Sequence, residues 1–147
     1  PCNTAHYFID RFRNEIKVPL VHIIEATVDA SIKSSPEGAW IISTIGTARS
    51  GLYQKVAADR NYRLVIPPED VQNRIQETII YVKSGNMEMA VRCIEDAVKK
   101  LWSIEDLPII TACTELPLAY DASDLPKDKN ISSLDALAEA CIKILAD

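Results

Sequence analysis

Four short, largely apolar runs constrain this chain most: Val18–Ile24, Ala39–Ile45, Tyr62–Ile66 and Leu107–Ala112. Each is too brief for a helix of its own, and continuous apolar character suits a strand buried on both faces. Between the runs, apolar residues recur every three or four positions, as an amphipathic helix requires. Residues 5, 8, 9, 12 and 16 form one such face, and Ile24, Val28 and Ile32 a second. Val71, Ile75, Ile79 and Val82 form a third, and Ala90, Ile94, Ala97, Val98 and Leu101 a fourth. Leu134, Leu137, Ala138, Cys141 and Leu145 complete the set. Strands alternating with helices predict an α/β fold, a parallel sheet flanked by helices on both faces in three α/β/α layers.

Local chemistry punctuates these elements. Pro67-Pro-Glu-Asp70 opens a helix with proline and acids where a helix start tolerates them. Ser84-Gly85-Asn86 ends that helix, and Ser132 or Ser133 caps the last one. Gly46–Gly51 is expected to be a hydroxyl-rich turn leading into a helix over 52–59, a geometry that commonly holds an anion on backbone N–H groups. It lacks the Gly-Lys-Ser/Thr ending of a P-loop. Thr114–Ser133, rich in Asp and Pro, is expected to be one long loop, and loops of that length are often functional or cross between lobes.

Composition excludes several classes. A chain of 147 residues with 48% hydrophobic content can bury a core. No apolar run approaches the roughly 18–20 residues of a membrane span, and nothing near Pro1 reads as a signal peptide. A net charge of −5 without a basic stripe argues against nucleic acid. The four cysteines (2, 93, 113 and 141) form no close-spaced framework, and His6 and His22 make no zinc spacing with them. No metal is expected, and reduced thiols in a cytoplasmic protein fit best. Because Cys2 lacks the strand that should lead into it, the chain reads as the C-terminal part of a longer protein.

Cys2 and Cys113 stand apart from the other two thiols. Each enters a polar turn with small hydroxyl or amide neighbours: Asn3 and Thr4 after the first, Thr114 after the second. Cys113 follows an apolar run directly, at the carboxyl end of a predicted strand where parallel sheets bind ligands. Helix N-termini can tune such thiols to ionise near neutrality. One thiolate removing a proton from carbon while a thiol returns one to the opposite face inverts a stereocentre, and the roles swap with direction.

Three segments carry a family resemblance: Cys2-Asn-Thr-Ala-His6, Thr44-x-Gly-Thr-x-x-Ser-Gly-Leu-Tyr-Gln54 and Ala112-Cys-Thr-Glu-Leu-Pro117. Together they closely resemble the aspartate/glutamate racemase superfamily, in its aspartate racemase branch. The glutamate branch usually carries His-Tyr-Pro where this chain has Glu115-Leu-Pro117. The resemblance implies a two-lobe fold and racemisation of an amino acid without pyridoxal phosphate or any other cofactor. It implies Cys2 and Cys113 as the acid/base pair, and Asn3, Thr4, Thr47 and Thr114 as holders of the substrate's α-carboxylate and ammonium. It further implies Lys83 as a lysine near the substrate, an acidic amino acid as substrate, and a homodimer. Family members carry strands and helices ahead of the first cysteine that have no counterpart here. The first lobe is therefore expected to be incomplete, which counts against activity of the chain alone. Residues 1–112 are expected to form the second lobe with the first catalytic cysteine. Residues 113–147 are expected to carry the second cysteine, the loop and a helix belonging to the first lobe.

Plainer roles compete at several positions. Cys93 and Cys141 lie on apolar helical stripes and read as small core residues. His22 reads as a satisfied core histidine, and His6 as a cap or packing residue. Arg49 and the acids Asp121, Asp124 and Asp128 read as solvated loop. Glu115 either polarises the site or caps a turn. For the whole chain the alternatives are a non-catalytic or fragmentary homologue that binds a small carboxylate, and a decarboxylase or cis–trans isomerase of the same superfamily. The latter usually lack one of the two cysteines. A thiol redox protein is a more distant reading.

Overall fold

In the computed structural model, which describes residues 1–146, four parallel strands form one sheet in the order β2-β1-β3-β4. The strands are β1 (Ala39–Ser43), β2 (Leu64–Val65), β3 (Ile109–Ala112) and β4 (Asn130–Ser132). Eight helices accompany them among the described residues. They are α1 (His6–Phe12), α2 (Ile23–Ser34), α3 (Ile45–Ser50), α4 (Leu52–Asp59), α5 (Glu69–Lys83), α6 (Met87–Ile104), α7 (Leu116–Ala122) and α8 (Ser133–Ala146). The expected parallel sheet with helices on both faces is the observed one.

The central strands β1 and β3 are buried along their whole length, which explains their largely apolar sequence. Side chains alternate across the pleat and feed two cores. On one face Trp40, Ile42 and Ile109 pack with the α5 stripe Val71, Ile75 and Ile79 and with Ala90, Ile94, Val98 and Leu101 of α6. On the other, Ala39, Ile41, Ile110 and Ala112 pack with Ile23, Ile24 and Val28 of α2 and with Leu52 and Tyr53 of α4. The stripe read from the sequence for α6 is buried throughout, that for α5 is buried at Val71, Ile75 and Ile79 and half-buried at Val82, and Cys93 is fully enclosed.

Three local expectations change. Residues 18–24 form no strand: 18–22 is irregular, and Ile23 and Ile24 open α2. Their burial comes from the same face as Val28, a pattern that a short apolar run cannot distinguish from a strand. The Gly46–Gly51 turn is itself helical, because Thr44 caps α3 by accepting from the Thr47 N–H at 3.0 Å. Gly51, at φ 70°, then turns the chain from α3 into α4, a conformation glycine adopts without strain. Residues 114–133 are not one loop but α7, a 3-10 turn and β4. Leu116, Ala119 and Tyr120 bury a helical face there, with Pro117 tolerated in the first turn.

The two terminal helices also differ from expectation. Of the face expected on α1, Phe8 is 57% and Phe12 56% exposed, and His6 is the buried residue of that helix. On α8, Ser133 and Ala136 are buried, Leu134, Leu137 and Cys141 are half-buried, and Leu145 is 86% exposed. Residues 113–146 build onto the same sheet, with β4 pairing with β3 and α8 lying against α2.

Burial sets unequal costs for truncation. Ile94→Ala, in the enclosed α6 stripe, is expected to destabilise the fold by about 2–5 kcal/mol. Leu145→Ala, on the exposed end of α8, is expected to change it by less than about 0.5 kcal/mol. Urea denaturation of both variants beside the parent chain measures the contrast.

Candidate active site

Parallel pairing of β1 with β3 aligns Ser43 with Ala112, so the loops leaving both strands start side by side on the carboxyl rim of the sheet. From β1 come Thr44 and, one turn into α3, Thr47. From β3 come Cys113, Thr114 and Glu115. The amino-terminal turn Cys2–Thr4 reaches over the same rim, and Lys83, the last residue of α5, borders it. These residues line one cleft of about 120 Å³. It gathers all seven residues singled out in the sequence: Cys2, Asn3, Thr4, Thr47, Lys83, Cys113 and Thr114.

Three hydroxyls form a triangle on one side. Thr4 Oγ1 lies 2.8 Å from Thr47 Oγ1 and 3.3 Å from Thr44 Oγ1, and Thr44 donates to Thr47 at 3.1 Å. Hydroxyls can rotate to donate or accept, so the triangle adapts to either end of a zwitterion. Gln72 and Gln76 of α5 brace the end of β1 beneath it, the first donating to Ser43 O at 2.9 Å and the second accepting from Ile45 N at 3.1 Å.

Asn3 is tethered from two directions. It is 3% exposed, accepts from the Tyr53 hydroxyl at 2.6 Å and donates to Ser133 Oγ at 3.1 Å. Tyr53 is fully buried, and burial holds its phenol well above the ordinary range and therefore protonated, as a donor. Asn3 thus ties the Cys2 turn to α4 and to the start of α8, with one amide N–H left over.

His6 adds a second tie. Its Nε2 accepts from the Ile23 backbone N–H at 3.4 Å, so Nδ1 carries the proton and donates to Cys2 O at 2.9 Å. The ring packs edge-on against His22 at 4.4 Å. His22 is buried and only half satisfied: Nε2 bonds Asp10 at 3.0 Å, while Nδ1 has no hydrogen-bond partner. Burial above all holds the His22 imidazolium below its ordinary pKa, and the neighbouring His6 adds to the effect.

The two cleft cysteines occupy unlike surroundings. Cys2 is exposed. Cys113 is 7% exposed, and its thiol donates to Glu115 Oε2 at 2.9 Å. Burial and that carboxylate push the Cys113 thiol up to about 12. Burial works to raise the Glu115 carboxyl, but hydrogen bonds from Cys113, Thr114 and its own N–H, with the charge of Lys83, hold it below its usual range. Thr114 donates to the same Oε2 at 2.8 Å, and Lys83 Nζ stands 3.7 Å from Oε1.

The remaining candidates fall elsewhere. Arg49 lies on exposed helix surface, and Asp121, Asp124 and Asp128 lie outside the cleft. All four cysteines are free thiols, and among the described residues no group of three His, Cys, Asp or Glu is placed to hold a metal ion. Sequence reasoning underread Glu115 and missed Tyr53, Thr44 and Ser133. Thr44 and Tyr53 fall within the segment that carried the resemblance, which was the available signal for them.

A profile of the Asp/Glu/Hydantoin racemase family matches residues 1–141. The chain belongs to that family. It is 30% identical over 128 residues to a broad specificity amino-acid racemase of Bacillus subtilis (strain 168), covering 86% of this chain and 56% of the relative. The aspartate racemase of Picrophilus torridus superposes with a TM-score of 0.77 at 30% identity, covering 97% of this chain and 58% of that one. An aspartate racemase homologue from Pyrococcus horikoshii OT3 gives a TM-score of 0.77 at 25% identity, covering 99% and 65%. The chain therefore spans a little over half the length of the racemases it matches first.

Two measurements probe this geometry. Tyr53→Phe leaves Asn3 Oδ1 buried without its donor and is expected to cost about 1–3 kcal/mol in urea denaturation. Cys113 has a folded pKa raised above its ordinary 9, so the folded thiol keeps its proton where the unfolded one has lost it. Its contribution to stability is complete below pH 9 and declines as pH rises from 9 toward 12. The parent chain is expected to lose more stability between pH 8.5 and 10.5 than Cys113→Ala, and comparing the two cancels the tyrosines they share.

Proposed function

We propose that this chain carries the acid/base site of a cofactor-independent amino-acid racemase that inverts Cα by two-base proton transfer between Cys2 and Cys113. The observation that carries this reading is the convergence of both cysteines on one cleft, against a hydroxyl triangle and beside a lysine. Thr4, Thr47 and Thr114, with the remaining N–H of Asn3, would hold the α-carboxylate and ammonium groups. Lys83, 62% exposed at the mouth, would meet a side-chain carboxylate, which favours aspartate or glutamate. The broad specificity in the name of the Bacillus subtilis relative keeps other side chains in the panel to be tested.

The reaction balances without redox chemistry. A thiolate at one cysteine takes the α-hydrogen as a proton, and the resulting carbanion takes a proton from the thiol at the other. The thiolate has then moved from one sulfur to the other, and the product is the opposite enantiomer. No cofactor is required for these steps, because each uses only a thiol, a thiolate and hydrogen-bond donors to the carboxylate.

For the whole protein we propose a two-lobed homodimer in the cytoplasm. Because β4 and α8 join the sheet of β1 and β3, we place the boundary between lobes ahead of α2 rather than after residue 112. The Cys2 turn and α1 would then be the part contributed by the other lobe. Among the described residues no helix is long and apolar enough to cross a membrane.

A second reading is a homologue that binds a small carboxylate without turning it over. It is favoured by the Cys113 thiol, which is nearly enclosed and hydrogen-bonded to Glu115 rather than free to take a proton. Hydrogen exchange at Cα in D₂O, followed by mass spectrometry on a panel of L- and D-amino acids without added cofactor, separates the two. Deuterium is expected to enter aspartate or glutamate, with a loss of about a hundredfold or more in Cys2→Ser and in Cys113→Ser. Exchange with no amino acid, together with substrate protection of the cysteines against alkylation, would establish the binding protein instead.

A further inference from the structure

The geometry points to Glu115 as a positioning residue that keeps the shared proton on Cys113, so that the resting site removes the α-hydrogen through Cys2 and delivers a proton through Cys113. This rests on the racemase reading of the same cleft. A two-base site has two protonation forms, each competent for one enantiomer. Whatever favours one form decides which enantiomer meets a site ready to react.

The asymmetry is built from direct contacts. A carboxylate accepts hydrogen bonds and cannot donate them, so the 2.9 Å contact between Cys113 and Glu115 Oε2 requires the hydrogen to be on sulfur. Thr114 donates to that same oxygen at 2.8 Å, which fixes the carboxylate toward the thiol. A thiolate at Cys113 would lose this hydrogen bond and face a negative oxygen at the same distance. It would also be nearly enclosed, at 7% exposure, where charge is poorly solvated. Against this stand the Glu115 backbone N–H, which favours an anionic sulfur, and Lys83 from α5, whose charge favours both anions; the Tyr53 phenol from α4 is neutral and donates to Asn3. Cys2 lines the same cleft from the amino-terminal turn.

The proton inventory closes. In the favoured direction the Cys2 thiolate becomes a thiol and the Cys113 thiol becomes a thiolate. Glu115 then destabilises the thiolate just formed, so proton exchange with solvent returns the site to its resting form. The carboxylate itself gains and loses no proton.

The test is iodoacetamide alkylation of the full chain from pH 6 to 11, with each cysteine followed separately by mass spectrometry. The midpoint of each pH profile reports the thiolate population, while the plateau reports access. In the parent chain the Cys113 midpoint is expected well above the ordinary thiol range. Glu115→Gln is expected to lower the Cys113 midpoint, giving about tenfold or more faster modification of Cys113 at pH 8. Lys83→Met, at an exposed position that folding tolerates, is expected to move the Cys113 midpoint upward and so provides a test of opposite sign. A Cys113 midpoint within the ordinary thiol range in the parent chain, or one unmoved by both substitutions, would overturn the proposal. The D₂O exchange measurement on the same preparations keeps the two readings apart. Exchange with an unmoved midpoint removes the role of Glu115 alone. A shifted midpoint without exchange removes the racemase reading and supports the placement of the proton.

Discussion

The pairing of β1 with β3 is the contact on which the rest of the molecule depends. Both strands are buried on both faces, so their apolar residues have to be covered by helices on each side. Covering them requires a crossover of two long helices between β1 and β3, and α5 and α6 supply it after the short edge strand β2. The register that pairs Ser43 with Ala112 then brings Thr44 and Cys113 to neighbouring positions on one rim. Neither residue was chosen by local structure to meet the other; the ladder of hydrogen bonds between the strands does it.

Around that rim the chain uses neutral and charged partners differently. The Cys2 side is organised by neutral hydrogen bonds, from the threonine triangle to the Asn3 amide held by Tyr53 and Ser133. The Cys113 side is organised by charge, with Glu115 between the thiol and Lys83. The neutral network on the first side fixes geometry, whereas a carboxylate against a buried thiol both fixes geometry and favours the protonated sulfur. Two cysteines that look alike in sequence therefore stand in unlike electrostatic settings.

Much of this was legible in the sequence, for reasons that also explain the failures. Ala39–Ser43 and Ile109–Ala112 were readable because strands buried on both faces need largely apolar residues. The stripes of α5 and α6 were readable because long helices repeat their period several times. The run at 18–24 misled because two isoleucines at the start of a helix look the same as two in a strand. Leu116–Ala122 was hidden by the Pro and Asp around it, although its apolar spacing is helical. The cleft residues were legible through resemblance, but the bond from Glu115 to Cys113 was not. Neighbouring residues in a turn can point anywhere until the backbone is known, and the same uncertainty covers Tyr53, which reaches Asn3 from a distant helix.

The imidazole of His6 has a mechanical consequence. One nitrogen grips the first N–H of α2 and the other grips the carbonyl of Cys2, so a rigid five-membered ring spans the two backbones. The ring holds those two backbones one imidazole apart, so the start of α2 and the Cys2 turn share a single spacer, and the place of the sulfur is set from the same helix that packs against α8.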